Sequence, residues 1–483
     1  CLYNNRVCPL QTLAIDFTKK LCGSASYGGY TAEQVLMGFV MWPDEWSREP
    51  LLRLKGGALR DRLQLPRHCT INTFFNDMMG GYIIGPYLNE YYNGHDDEFH
   101  RQIADVDASI QLVMDLRRGK LLKVFPYTVN GNTTWYAPTD LMPDSAVAPA
   151  DRQYMQNVFS LIYQEALAGN MASVGNIADK MQRYQHKNGG SSLPSGMQTR
   201  AERLYNAVPF ATILFMLNLG MGFATLFAVL WLMTRPTRRT LRGSMLMKIA
   251  VAVMLLSFTA LTLCMALRWL IRGTAPMANG YETMLLMAWI IMTAALLLCR
   301  RFAIVLTFGF IMSGFFLLVS HISQMDPQIT HIMPVLQSPL LSIHVSVIMT
   351  AFALLSLTFI CGITALLLRA MRGSRAERLN TQLAALRALS QLFYYPAMAA
   401  LAVGIFVGAV WANVSWGTYW SWDAKEVWAL ITFMVYAAAA HGTSLPMMRR
   451  PMPWHLFMVA AFATILMTYF GVNYFLGGMH SYA

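Results

Sequence analysis

The 483-residue sequence has few charged residues: they make up 13% of the chain, whereas hydrophobic residues make up 55%. Soluble domains usually contain about 25% charged residues, so the composition argues against a single water-soluble globule. The sequence also lacks a G-x-x-x-x-G-K-[ST] phosphate-binding loop and a C-x-x-C-H haem attachment site. We therefore predict that the chain is neither an ATPase nor a c-type cytochrome.

Seven cysteines are present, but no two of them form a C-x-x-C pair. A zinc site or a thioredoxin-like dithiol is therefore not predicted. No basic segment followed by an apolar core precedes Cys1, so no signal peptide is recognisable. Since the chain also opens without Met, we expect it to be part of a longer polypeptide.

The formal net charge of +12 is unevenly distributed along the chain. Residues 1–206 contain 20 Lys and Arg against 20 Asp and Glu, whereas residues 207–483 contain 17 against five. The excess positive charge therefore lies among long apolar runs, which is typical of an integral membrane protein. It does not predict a nucleic-acid partner.

Beyond residue 206 the sequence contains eight apolar runs, each close to the roughly 20 residues that cross about 30 Å of hydrocarbon as a helix. They lie near residues 207–234, 245–271, 282–299, 302–320, 344–368, 394–414, 425–448 and 455–476. We predict an all-α, polytopic membrane protein with about eight transmembrane helices in residues 207–483. A mainly helical extracytoplasmic domain, residues 1–206, is predicted to precede them.

The first 206 residues show helical periodicity in three places. These stretches are residues 31–41, 97–118 and 151–168. Asp97 and Asp151 are the predicted N-terminal caps of the second and third helices. Residues 187–196 contain glycine, serine and proline and are predicted to form a linker before the membrane.

Basic residues orient the predicted helices. Of the 17 basic residues after residue 206, 14 lie in or beside one set of alternate loops, and the other three are Arg268, Arg272 and Lys425. Cytoplasmic loops of membrane proteins carry an excess of Lys and Arg, so the first set is predicted to be cytoplasmic. Residues 1–206, the remaining loops and the C-terminus are then predicted to face outward.

One outward loop, residues 411–428, holds five of the twelve tryptophans. They are Trp411, Trp416, Trp420, Trp422 and Trp428. An aromatic belt at the membrane interface is one explanation, because Trp and Tyr gather there. A belt, however, spreads over many helix ends. The concentration in a single loop favours an apolar platform for a planar ligand.

Histidines near the outer face are candidate metal ligands. His344 and His480 lie at the outer ends of predicted helices, and His321 and His331 bracket an outward loop. His441 lies inside the seventh predicted span, where an ionisable side chain is by default a candidate functional group. Each histidine alone is explained by an interfacial bond to the backbone. Together with the tryptophan loop, however, two neutral imidazoles favour axial ligation of a haem iron.

Four stretches of the chain resemble motifs of the CcsA/ResC-type cytochrome c biogenesis proteins, which handle haem in the two-component (System II) cytochrome c synthetase. In chain order they are Asn279-Gly-Tyr281-Glu282-Thr-Met, Leu336-Gln337-Ser338-Pro339-Leu-Leu-Ser-Ile-His344, Trp416-Gly-Thr-Tyr-Trp420-Ser-Trp422-Asp423-Ala-Lys425-Glu426-Val-Trp428 and Gly478-Met-His480-Ser-Tyr-Ala. The third is similar to the tryptophan-rich WWD signature, so residues 411–428 are identified as a WWD loop. The resemblance covers about residues 207–483.

The resemblance implies a set of haem-binding residues. His344 and His480 are expected to be the two external axial ligands of the haem iron, and His441 a ligand within the membrane. The porphyrin is expected to stack on Trp416, Trp420, Trp422 and Trp428. Asp423 is expected to shape the loop. Either Lys425 or Arg272 is a candidate partner for the haem propionates.

The resemblance also implies a function in cytochrome c biogenesis. The protein would carry haem across the bacterial cytoplasmic (inner) membrane and present it for thioether attachment to C-x-x-C-H segments of apocytochrome c. Haem-lyase activity is expected together with a CcsB/ResB-like partner, which supplies a second intramembrane histidine and is sometimes fused ahead of the CcsA part. Residues 1–206 occupy the position of the outward portion of such a partner. The implied partners are therefore apocytochrome c, a CcsB/ResB-like component and membrane lipid.

Two other functions are also consistent with the sequence. The chain would require the same ligands if it only exported haem and passed it to a separate ligase or chaperone. A polytopic scaffold with an aromatic belt would bind no haem at all.

Overall fold

The computed structural model describes residues 1–76, 81–140, 147, 149–234, 244–322, 327–330, 338–371, 376–442 and 444–476. Two of the histidines singled out from the sequence, His331 and His480, lie outside these described residues. The chain divides into two compact units, Cys1–Asn206 and Ala207–Ala483.

The first unit consists of helices and short antiparallel strand pairs. Its helices are α1 (Leu10–Cys22), α2 (Ala32–Met41), α3 (Pro43–Ser47), α4 (Ala58–Leu63), α5 (Gly85–Tyr92), α6 (Glu98–Arg117), α7 (Pro149–Leu167), α8 (Met171–Asn188) and α9 (Gly196–Ala207). Its strands are β1 (Leu2–Tyr3), β2 (Arg6–Val7), β3 (Ser26–Tyr27), β4 (Tyr30–Thr31), β5 (Leu52–Arg53), β6 (His68–Cys69), β7 (Phe75–Asn76), β8 (Gly81–Tyr82), β9 (Phe125–Val129) and β10 (Asn132–Tyr136). These strands form antiparallel two-stranded sheets in which β1 pairs with β2, β3 with β4, β5 with β6, β7 with β8, and β9 with β10.

The three helices predicted in this unit are present, with one difference at a cap. Thr31 caps α2 in a capping box with Gln34, and Asp97 caps α6 by accepting a hydrogen bond from the backbone N–H of His100. The predicted cap Asp151 is wrong, because α7 begins at Pro149 and Asp151 lies in its first turn. A carboxylate in the first turn still faces the positive end of the helix dipole.

The predicted linker at residues 187–196 is packed against the β9–β10 hairpin. The hydroxyl of Thr128 donates to the carbonyl oxygen of Asn188 at 2.7 Å, and the indole N–H of Trp135 donates to Ser192 Oγ at 3.1 Å. The short helix α9 then follows. Its Glu202 is buried and receives two hydrogen bonds from Arg6, at 2.7 and 2.6 Å. This charged pair joins α9 to the N-terminal strand pair.

The second unit is helical in its described part. Its helices are α10 (Phe210–Thr234), α11 (Met245–Arg272), α12 (Gly280–Leu298), α13 (Ile304–His321), α14 (Pro339–Ala370), α15 (Ala376–Trp416), α16 (Ala424–Ala438) and α17 (Pro451–Leu466), and α17 continues as a π-helix over Met467–Leu476. Within the described residues, seven helices are long and apolar enough to cross a membrane. The all-α, polytopic architecture expected from the sequence is confirmed.

Helix α16 accounts for the difference between about eight predicted spans and seven observed candidates. It has 15 residues, fewer than the roughly 20 that cross the hydrocarbon layer. The prediction placed a span over residues 425–448, but the helix ends at Ala438 and the chain turns before a 3₁₀ segment, Pro446–Arg449. Gly442 and Pro446 then disfavour resumption of an α-helix, so the apolar run does not continue as one span.

Small residues allow close packing between the helices of this unit. Glycines of α15 lie against α14: a Cβ added at Gly404 would meet Ile348, and one added at Gly408 would meet His344. Polar side chains also link helices in the interior. Asn218 of α10 donates to Ser313 of α13 at 3.1 Å and accepts from Ser257 of α11 at 2.8 Å. Both features are typical of helix association in membranes.

Candidate functional site

A cavity of about 510 Å³ opens between α12, α14, α15, α16 and the π-helical end of α17. Its volume lies within the range of about 300–1,000 Å³ that is usual for small-molecule sites. Most of its wall is apolar. Its polar and aromatic lining residues include His344, Trp411, Trp420, Lys425, Tyr469 and Asn473.

His344 lies in the second turn of α14 and lines the cavity. Its Nδ1 is 2.8 Å from the carbonyl oxygen of Gly404 in α15. Because a carbonyl oxygen can only accept, Nδ1–H is the donor and the lone pair of the neutral ring lies on Nε2. Metal-binding histidines commonly have this arrangement, in which a backbone carbonyl orients the ring and sets its tautomer. The site is thus chemically suited to bind a haem iron through Nε2.

The tryptophans of the WWD loop do not share one orientation. Trp420 lines the cavity, whereas Trp416 and Trp422 are 44% and 76% exposed. The rings of Trp420 and Trp422 are 6.1 Å apart and inclined at 87°, so these two rings cannot both lie parallel to one planar ligand. Trp428 is partly buried and is not among the residues that line the cavity. A single flat platform of four tryptophans is therefore absent from the described loop.

The two carboxylates of the loop are used to shape its backbone. Asp423 is the N-cap of α16 and accepts from the N–H of Lys425 at 3.1 Å. Glu426 completes the capping box by accepting from the N–H groups of Ser421, at 2.8 Å, and Asp423, at 3.3 Å. Trp422 has a positive φ of 60°, and these bonds help to hold that uncommon conformation. The geometry supports an architectural role for Asp423.

Two arginines of α11, Arg268 and Arg272, are bound by one glutamate of α12. Glu282 accepts from Arg268 at 2.7 and 3.0 Å and from Arg272 at 2.7 Å, and all three side chains are buried. Arg268 also donates to the carbonyl oxygen of Pro327 at 2.8 Å. Neither arginine is among the residues that line the cavity. Of the two candidate propionate partners, only Lys425 lies in the cavity wall.

His441 lies outside the cavity. The sequence placed it inside a membrane helix, but α16 ends three residues before it, and His441 is exposed in the turn that follows. Its carbonyl oxygen accepts from the N–H of Leu445 at 2.8 Å. Of the three predicted iron ligands, His344 therefore lies in the cavity, His441 lies elsewhere, and His480 is outside the described residues.

Known proteins similar to this chain include members of one family. The sequence model of a family described as cytochrome C assembly protein matches residues 277–480. The cytochrome c biogenesis protein CcsA of Guillardia theta is 31% identical over 252 residues, which cover 47% of this chain and 83% of that protein. CcsA of Synechococcus sp. (strain CC9605) is 34% identical over 273 residues, covering 49% of this chain and 86% of that protein. The chain belongs to the CcsA family.

Similarity also extends to a longer relative. Protein NrfI of Wolinella succinogenes is 30% identical over 504 residues, which cover 99% of this chain and 53% of NrfI. The chain thus spans about half the length of NrfI, and the match includes the first unit. Family membership confirms the resemblance seen in the sequence. It gives this CcsA-family chain a role in cytochrome c biogenesis as a multi-pass membrane protein.

Several cavity residues of this CcsA-family chain were not identified from the sequence. Tyr469 and Asn473 lie on the π-helix Met467–Leu476, and π-helical turns occur frequently at functional sites. The hydroxyl of Tyr469 is 2.6 Å from that of Thr283 in α12, which joins two walls of the cavity. Trp411 belongs to the WWD loop but was not selected as a ligand contact. The apolar sequence of 467–476 carries no local signal of a π-helix.

Proposed function

We propose that this CcsA-family protein holds haem in the cavity beside the WWD loop and presents it for covalent attachment to apocytochrome c. The observation that carries the proposal is the orientation of His344, whose Nδ1 donates to Gly404 and whose Nε2 bears the lone pair. Trp420 and Trp411 add aromatic surface to the same cavity. Family membership supports haem as the substrate.

The proposed iron ligands are His344 on one side of the haem and His480 on the other. Trp420 contacts the porphyrin from the cavity wall. Trp416 and Trp422 are exposed at the loop surface, where they are available to the incoming apocytochrome. Trp428 and Asp423 maintain the loop, since Asp423 caps the helix to which Trp428 belongs.

The reaction is an addition that needs no external oxidant. Each cysteine thiol of the acceptor's C-x-x-C-H segment adds across a haem vinyl group. A carbon–sulfur bond forms at the carbon nearer the porphyrin, and the thiol hydrogen goes to the terminal carbon. The protein's contribution is to hold haem and acceptor in a reactive orientation, while the cofactor supplies the chemistry. Haem-lyase activity thus arises from positioning, and it requires the CcsB/ResB-like partner.

A second haem position is proposed at His441. Its exposure in this chain suits a site completed by a histidine of the CcsB/ResB-like partner. Haem would pass from there to the cavity at His344. This route requires a protein in the bacterial inner membrane with the WWD loop, residues 1–206 and the C-terminus on the outer side, as the distribution of basic residues predicts.

The test is the absorption spectrum of purified protein variants. The chain is purified without the CcsB/ResB-like partner, which the second haem position at His441 requires. The wild type is then expected to show the Soret band of six-coordinate haem, and His344→Gly is expected to lose this band and regain it with added imidazole. His321→Ala is the matched control, because His321 lies at the end of α13 and outside the cavity wall. A wild-type spectrum in His344→Gly without imidazole would overturn the ligand assignment.

A coexpressed apocytochrome distinguishes ligation from export alone. In a host that lacks another haem ligase and also expresses the CcsB/ResB-like partner, the proposed function predicts thioether-linked cytochrome, which stains for haem after denaturing electrophoresis. A protein that only exports haem would bind haem and yield no covalent product.

A further inference from the structure

The cavity at His344 contains one positively charged side chain among its described lining residues. This residue is Lys425, in the first turn of α16. The other charged residue of the wall is Glu426, whose carboxylate accepts two backbone hydrogen bonds in the loop. The wall of an otherwise mostly apolar cavity therefore has a cation at one defined place.

Two other basic residues of the same unit, Arg268 and Arg272, lie outside the cavity wall. Glu282 binds both Arg268 and Arg272 in a buried cluster. Breaking a buried ion pair of this kind is costly, because it leaves an uncompensated charge. An anionic ligand in the cavity would therefore meet Lys425 without disrupting that cluster.

Haem is an asymmetric anion. Its two propionates lie at one edge of the porphyrin, and its two vinyl groups lie at the opposite edge. A protein that attaches thiols to the vinyl groups must distinguish these edges. An apolar wall with a single ammonium group provides such a distinction, since a charge-assisted hydrogen bond is available only to the carboxylates.

We propose that Lys425 is the positioning residue for the haem propionates, and that its ammonium group holds the propionate edge against the first turn of α16. This inference rests on the proposed function and adds the orientation of the substrate. With the iron at His344 and a propionate at Lys425, the vinyl edge faces away from α16. The cavity is then selective for tetrapyrroles that carry ionised carboxylates.

Haem dimethyl ester provides a direct probe, because its propionates carry no charge. Binding of haem and of the ester is measured by Soret titration for the wild type, Lys425→Met and Lys425→Arg. The wild type is expected to bind haem about tenfold more tightly than the ester, as expected for a hydrogen bond to a charged group. In Lys425→Met this preference disappears, and affinity for the ester remains that of the wild type. Lys425→Arg keeps the preference.

A spectroscopic readout separates positioning from a structural role. Resonance Raman bands of propionate bending are expected to shift between the wild type and Lys425→Met and to stay in place in Lys248→Met. Lys248 is the control because it is an exposed basic residue of α11 outside the cavity wall.

The outcomes separate this inference from the proposed function. If the wild type binds no haem, the proposed function itself fails. If Lys425→Met weakens haem and ester equally, or leaves the preference unchanged, the role of Lys425 is wrong while haem binding at His344 stands.

Discussion

The imidazole of His344 in α14 is hydrogen-bonded to the main chain of Gly404 in α15, with 2.8 Å between Nδ1 and the carbonyl oxygen. Gly408, one turn further along α15, lies against the same ring. The two glycines allow the imidazole to approach the backbone of the neighbouring helix. The direction of Nε2 is consequently set by helix packing as well as by the rotamer of the histidine.

A methyl group at Gly408 should displace the ring. A Cβ at this position would lie 2.5 Å from Cε1 of His344, well inside contact distance, so Gly408→Ala must move the imidazole and weaken its bond to Gly404. We expect haem content per protein, measured by Soret absorbance, to fall severalfold. Gly220→Ala in α10 is the control, since its added Cβ meets nothing within 4 Å. Equal haem content in the two variants would contradict this prediction.

Replacement of Glu282 should destabilise the membrane unit. Glu282→Gln leaves the buried Arg268 and Arg272 without their carboxylate, and removing one member of a buried ion pair costs about 3–5 kcal/mol. The free energy of unfolding, measured by denaturant titration in detergent, should fall by this amount. Asp96→Asn is the control, because its pair with Arg101 is exposed and is worth about 0–1 kcal/mol. A similar small change in Glu282→Gln would show that the cluster contributes little.

Cys1 and Cys8 should form a disulfide on oxidation. Their Sγ atoms are 4.0 Å apart. The backbone N–H of Cys8 donates to the carbonyl oxygen of Cys1 at 2.8 Å, and the amino group of Cys1 donates to the carbonyl oxygen of Cys8 at 2.9 Å. Such antiparallel pairs have Cα atoms about 5.5 Å apart, within the range that a disulfide spans. Mass spectrometry after alkylation should detect a linked peptide, and Cys8→Ser should abolish it.

The rate of this oxidation should increase with pH. Burial raises the pKa of the Cys8 thiol to about 11, so the reactive thiolate is scarce at pH 7 and increases tenfold with each pH unit below that pKa. With a small-molecule disulfide as oxidant, cross-linking should be faster at pH 9 than at pH 7. Cys22 serves as an internal reference and should remain outside the linked peptide. A Cys8 thiol that is still fully alkylated after treatment at pH 9 would refute the prediction.

Sequence patterns were most informative where the relevant interactions are local. Asp97 was identified as a helix cap because capping is a local interaction. Its carboxylate accepts from the backbone N–H of His100, only three residues further along the chain. The cap at Asp151 was misplaced because Pro149 is well suited to the first turn of a helix. The seventh span was drawn too long because an apolar run continues past Ala438, although Gly442 and Pro446 follow.

The amino-acid composition and the order of residues in the sequence were sufficient to predict a polytopic helical membrane protein, its family motifs and the candidate ligand His344. These features depend on hydropathy and spacing, which are properties of the chain itself. Tertiary structure decided which candidates share a cavity. Trp420 and Lys425 line it with His344, whereas Arg272 is bound to Glu282 and Trp422 turns outward. Those outcomes depend on contacts between separate helices and on the conformation of one loop, for which a linear pattern contains no geometric information.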